Sequence, residues 1–182
     1  MSPGEVRMKP FVAGVGIGVL LASSASGAGP GALPEDPCAL LKPAEIQALA
    51  PDATIGSGVS DASMAPLGVG CTYTWGPRTR EWGESAVTIT VMDVSKAYPG
   101  TDPDVIQEGL LARVKTEGPD ASEVPGVGDA AVFTFEARSS NATAEAYLKA
   151  KGVHLSVKYH AGDSLANKPK IIALLKDAAA RL

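Results

Sequence analysis

The stretch Gly70-Cys71-Thr72-Tyr73-Thr74-Trp75 constrains this chain more than any other. Cys71, Tyr73 and Trp75 alternate with Thr72 and Thr74, which predicts a strand with one apolar face. Cys71 is also one of only two cysteines in 182 residues. The other, Cys38, stands just ahead of the first helical pattern. If the two pair, the start of the domain is pinned to the first strand of its sheet and everything between becomes a closed loop.

Whether they pair depends on the compartment. Residues 1–28 carry the three parts of a secretory signal: Arg7 and Lys9 in a basic start, an uncharged run from Phe11 to Ala22, and the small-residue tail Ser23-Ser24-Ala25-Ser26-Gly27-Ala28. The run is shorter than the roughly 20 apolar residues of a membrane-spanning helix, which favours cleavage after Ala28 over a retained anchor. No Arg-Arg pair marks the twin-arginine route. Cys38 lies too far past the run, behind Pro34 and Pro37, to be a lipid-attachment cysteine. The expected location is therefore periplasmic or extracellular, without lipidation. There an even cysteine count reads as a disulfide. Closing the span from Cys38 to Cys71 contributes about 3 to 4 kcal/mol in the chain-entropy account. A metal or catalytic thiol is the weaker reading, because neither cysteine has a second ligand at metal spacing.

Loss of residues 1–28 removes Arg7, Lys9 and Glu5, which takes the net charge from −4 to −5. An acidic surface repels phosphate backbones and argues against nucleic acid and anionic membranes as partners. About 150 residues remain, enough for one domain with a single core. Residues 29–37 are Gly, Pro, Ala and acid and read as a flexible lead-in. The domain is placed at 38–182.

Within it, Leu41, Ile46 and Leu49 give a short helical stripe, with Pro43 in the first turn and Pro51 as its stop. Asp52 to Val69 has no period and reads as a loop. The Cys71 to Trp75 strand is followed by a second alternation, Val87, Ile89 and Val91 against Thr88 and Thr90, predicting a hairpin. Its connection, Gly76 to Ser85, reads as a long loop. Asp102 as N-cap and Pro103 at the first position start a helix carrying Val105, Ile106, Leu110, Leu111 and Val114, and Gly118-Pro119 ends it. A turn at Pro125 to Asp129 leads into a strand at Val132 to Glu136, with Ala131, Phe133 and Phe135 inward. Ala144 to Ala150 and Val153 to His160 predict a second hairpin turning at Lys151-Gly152. The last helix begins near Asn167 and buries Ile171, Ile172, Leu175, Ala178, Ala179 and Leu182. The order is α-β-β-α-β-β-β-α, an α+β domain with one antiparallel sheet of about five strands covered by helices.

Three pieces together carry a resemblance: Asp36-Pro37-Cys38-Ala39-Leu40-Leu41 with Glu45-Ile46, Gly70-Cys71-Thr72-Tyr73-Thr74-Trp75, and Pro125-Gly126-Val127-Gly128-Asp129-Ala130-Ala131. The set resembles secreted bacterial domains of unknown function, many from actinobacterial lipoproteins, in which such a start and strand hold a cysteine pair. Those domains are similar to small α/β/α sandwiches of the PsbP and LpqN kind, which bind or scaffold partners outside the membrane. The resemblance implies a fold and a disulfide, and brings no catalytic residues. The lipid-attachment cysteine of the family is missing.

Candidate chemistry is sparse. Gly162-Asp163-Ser164-Leu165 spells the signature of a serine esterase family, but it lies near the end of the chain with no histidine after it to activate Ser164, and reads as a turn. His154 and His160 share a strand face with Ser156 and Lys158 and are separated by roughly 20 Å of extended chain, too far to share a metal ion. Gly126-Val127-Gly128-Asp129 lacks the third glycine and preceding strand of a dinucleotide site, while Asp129 is placed to cap a turn or accept backbone N–H bonds. Arg78, Arg80 and Trp82 in the first hairpin's connection form the one cluster suited to stacking on an aromatic or pairing with a carboxylate of a partner. The sequence thus predicts an exported, monomeric, non-catalytic binding or scaffold domain of the cell envelope, with no metal or cofactor. Its partner would be an envelope protein or a small molecule. The alternative is a hydrolase using Ser164 or a histidine.

Overall fold

The computed structural model describes residues 31–79 and 83–182, so the expected signal segment lies outside the described residues. A 3-10 turn at Pro37–Leu40 leads into α1 (Pro43–Gln47), β1 (Val59–Asp61), β2 (Gly68–Thr79), β3 (Gly83–Asp93), α2 (Val94–Ala97) and α3 (Pro103–Thr116). Then come β4 (Ser122–Glu123), β5 (Ala130–Glu136), β6 (Asn141–Leu148), a second 3-10 turn at Lys149–Lys151, β7 (Val153–His160) and α4 (Lys168–Arg181). The strands make one open sheet in the order β1-β2-β3-β7-β6-β5-β4, antiparallel at every step.

This is the α+β class expected, with seven strands among the described residues where about five were predicted. The two extra strands are short edges. Val59, Ser60 and Asp61 are all exposed, and Ser122–Glu123 is only two residues long. Neither buries a face, so neither needs the alternation that announces a strand. The stretch read as a loop from Gly76 to Ser85 is also corrected: β2 runs on to Thr79 and β3 starts at Gly83, pairing Thr79 with Gly83 beyond an irregularity after Trp75. Gly76 sits there at φ 76°, where a glycine accommodates a bulge that its neighbour Pro77 makes look like a loop. The turn α2 was not foreseen either; the Asp93 carboxylate accepts the N–H groups of Ser95 and Lys96 at its start.

The ladder sorts the side chains by face. Val69, Val91, Leu155, Ala146 and Ala131 lie in one row, and Cys71, Ile89, Val157, Ala144 and Phe133 in the next. These rows belong to the main core, which the 3-10 turn, α1 and α4 cover with Leu40, Leu41, Ile46, Ile171, Leu174, Leu175 and Ala178. α4 packs on β6 and β7. Ala142, Ala144 and Ala146 present only methyl groups to that side, so a helix bearing Ile171 and Leu175 can sit close without overpacking.

Two clasps fasten this layer. Cys38 and Cys71 form a disulfide with Cα atoms 5.1 Å apart, and Tyr73 Oη donates to the carbonyl of Cys38 at 2.9 Å. The segment between the cysteines packs against the clasp: a Cβ on Gly58 would lie 2.6 Å from the Tyr73 ring and 2.8 Å from Cys71 Sγ. At the other end, Arg181 in the last turn of α4 forms a forked ion pair with Glu45 of α1 and donates to the Leu40 carbonyl. That guanidinium holds the Glu45 carboxyl below its usual range.

The opposite face is polar through its middle, with rows Thr90-Ser156-Glu145 and Thr88-Lys158-Thr143. Only one corner is apolar: Val94, Ala130, Val132 and Tyr147 make a small second core with Leu110, Ile106, Leu111 and Val114 of α3. Leu110 is the one buried residue of that helix. α3 therefore rests on the sheet along a narrow contact over β5 and leaves a gap beside it.

Candidate functional site

The residues singled out in the sequence scatter over the fold. Ser164 lies within the turn after β7, is 1% exposed, and has its Oγ 2.6 Å from the carbonyl oxygens of Ser140 and Ala161 while accepting the Ala161 N–H at 3.0 Å. Its hydroxyl is consumed in tying two loops together. Asp163 is held between Tyr159 Oη at 2.9 Å and Asn167 Nδ2 at 2.6 Å. Asp129 accepts the backbone N–H of Lys149 at 2.7 Å, the turn-fixing role read for it. Gly128, at φ 57°, has no room for a side chain, because a Cβ would meet the Tyr147 carbonyl oxygen. His160 lies at the far end of β7 with Nδ1 3.1 Å from Asn141 Oδ1. Arg80 and Trp82 lie outside the described residues, as does the side chain of Arg78. Among the described residues, no three His, Cys, Asp or Glu side chains come together as metal ligands. No helix of the described residues is long and apolar enough to cross a membrane.

His154 has a different setting. It lies in the row Met92-His154-Tyr147 on the face toward α3. There it lines a cleft of about 490 Å³ with Met92, Tyr98, Thr101, Val105, Ile106, Gly109 and Leu110, together with the ion-paired Arg113 and Glu145. The cleft volume falls within the roughly 300–1,000 Å³ range of small-molecule sites, and its wall is apolar with a few convergent polar groups. At the mouth, Val105 and Tyr98 are 57% and 48% exposed.

The two charged groups that line this cleft, Arg113 and Glu145, oppose each other. Arg113 is ion-paired with Glu145 across to the sheet and with Glu117 one turn along its own helix, the latter at 3.1 Å. Burial, aided by the Arg113 charge, lowers the His154 pKa to about 4, so the imidazole is neutral at ordinary pH. No family model matches the chain, and no curated protein or solved structure does. The cleft must be read from its own chemistry.

Arg113 also lines a neighbouring, mainly polar groove of about 320 Å³ with Glu117, Thr134, Phe135, Glu136, Asn141 and Lys158. A second depression, on the core side, lies at Trp75, Tyr159, Pro51 and Asp52. The rings of Trp75 and Tyr159 meet there at a tilt of 31° with centroids 5.8 Å apart. At 8% and 1% exposure they serve the core rather than present a ring to a ligand.

The sequence places His154 on a strand face with His160, Ser156 and Lys158 but does not bring Gly109, Arg113 and Glu145 to it. The long-range contacts that do so follow from the packing of α3 onto β5, which no local spacing encodes. One signal was in view. Gly109 sits in the middle of an otherwise sound helix, where glycine costs about 1 kcal/mol relative to alanine.

Proposed function

We propose that this protein is an exported, non-catalytic binding domain of the bacterial cell envelope, and that the cleft between α3 and the sheet is its ligand site. The observation that carries this reading is Gly109. A helix-interior glycine is ordinarily explained by close packing or a left-handed backbone. Gly109 has neither: a Cβ there would meet no atom within 4 Å, and the position lines the cleft. Keeping the wall open at the expense of helix stability is what a binding site requires.

Three further features support the reading. The disulfide suits an oxidising compartment, as does the secretory pattern of residues 1–28. The hydroxyl of Ser164 is committed to the fold, which favours binding over the esterase alternative. Helices on both faces of the sheet fit the α/β/α sandwich of the secreted actinobacterial domains that the three sequence pieces resemble. The first hairpin's tip, with Arg78, Arg80 and Trp82, is the proposed contact for an envelope protein that receives or delivers the ligand.

Native mass spectrometry of the exported protein, purified without reductant, tests the proposal. The expected spectrum is a monomer beginning at Gly29, two hydrogens lighter than the dithiol chain and partly carrying a small-molecule adduct. A bare protein that acquires no adduct from envelope extract would overturn the ligand reading.

A further inference from the structure

The cleft under α3 also carries information about what it takes. Resting on the proposal that the cleft is a binding site, we infer that its ligand is an uncharged, mainly apolar small molecule with one hydroxyl or amide group, which hydrogen-bonds to His154.

The apolar part follows from the lining. Met92, Val105, Ile106, Leu110 and the Tyr98 ring offer dispersion contacts and no charge. The absence of a formal charge follows from how the polar end is arranged. An anionic ligand would need a free cation, but Arg113 is engaged by Glu145 on one side and Glu117 on the other. It would also approach the Glu145 carboxylate. A cationic ligand would find Glu145 already paired and the Arg113 guanidinium beside it. Displacing either partner would leave a charge unpaired in a half-buried site, which is costly. A neutral molecule disturbs nothing.

The hydrogen-bonding group follows from His154. Among the described residues its imidazole has no hydrogen-bond partner, yet no fully buried side-chain nitrogen or oxygen is left unsatisfied. Neither ring nitrogen is therefore fully buried, and the space that His154 lines is the cleft. A neutral imidazole presents one donor and one acceptor. A hydroxyl or an amide matches either, whereas a hydrocarbon would strip water from both without replacing it, which is unfavourable.

The test uses three probes of equal chain length: 1-octanol, octanoate and octylammonium, titrated at pH 7 into the isotope-labelled, disulfide-bonded protein. NMR follows the His154 ring and the methyl groups of Val105, Ile106 and Leu110. The expected result is saturable shifts at those groups with 1-octanol, and binding of either charged probe at least tenfold weaker. His154→Leu should lower the affinity for 1-octanol about tenfold while the Val105 and Ile106 methyls still respond. If a charged probe binds the cleft as tightly as 1-octanol or more tightly, the inference about ligand class is overturned while the site remains. If no probe moves any cleft residue, the site itself is lost and the inference with it.

Discussion

Tyr73 and Cys38 are joined by a hydrogen bond from the phenol to the backbone carbonyl, at 2.9 Å. The residue that the disulfide ties to Cys71 is thus tied a second time, from two positions along the same strand face. Burial raises the Tyr73 pKa, so the phenol stays a donor. Replacing both cysteines by serine should reduce stability by about 4 kcal/mol, the loop-closure contribution for a separation of 33 residues. The Tyr73 bond remains in that variant, so it should still fold to the same sheet. Urea unfolding of the two forms, each extrapolated with its own m-value because the uncrosslinked denatured chain is more expanded, checks this.

Gly128 and Gly126 make a paired test of what the turn before β5 requires. Both have positive φ, 57° and 77°. Only Gly128 also abuts the Tyr147 carbonyl; the space around Gly126 is open. Gly126→Ala should cost about 1 kcal/mol for the backbone alone. Gly128→Ala should cost at least about 2 kcal/mol more, since the carbonyl cannot move without breaking the Asp129 N–H bond it accepts at 2.9 Å. Thermal unfolding of the two variants decides it.

His154 makes stability depend on pH. Its pKa in the fold, about 4, lies below the ordinary value of 6.5. Between these values the unfolded chain takes up a proton that the folded chain refuses, so stability falls as pH drops from 6.5 and levels off near 4. The full loss is about 3 kcal/mol, because each tenfold reduction in proton affinity is worth roughly 1.4 kcal/mol. Arg113 and Glu145 are the charged groups that line the cleft with the ring. His154→Leu should abolish this part of the pH dependence, leaving the acid sensitivity of paired carboxylates such as Glu45 and Asp93. Urea midpoints of the two proteins from pH 4 to 7 measure the difference.

Ser164→Ala removes the acceptor of the Ala161 N–H and the donor to the Ser140 carbonyl inside a buried junction. A loss of about 2 to 3 kcal/mol is expected, more than a surface serine would cost. Turnover of a generic ester by the wild-type protein, abolished in this variant under conditions where it remains folded, would instead support the hydrolase alternative.

Much of this fold is legible in the chain because its central strands bury one face. Cys71, Tyr73 and Trp75, and Val87, Ile89 and Val91, alternate strictly, and the helices that follow Asp102 and Asn167 start where their prolines permit, the first with its Asp102 cap in place. What escaped the sequence reading lacks such a demand. β1 and β4 are short edges that bury no apolar face, and the extension of β2 past Trp75 hides behind Gly76 and Pro77. The site was less legible than the fold. His154, Arg113 and Gly109 belong to different elements, and only the way α3 leans on β5 brings them together. Gly109 alone gave a local sign, and its meaning depends on the open space around it.

The central claim, that the cleft holds the ligand, is tested most directly by filling it. Gly109→Leu places a side chain where a Cβ meets nothing within 4 Å and should raise helix stability. Wild-type protein and this variant would be exposed to the same envelope extract, washed, and their bound small molecules released and quantified by mass spectrometry. The account predicts a compound recovered from the wild type and reduced at least tenfold in a variant that unfolds at an equal or higher temperature. Equal recovery from both proteins would show that whatever is bound lies elsewhere, and would contradict it.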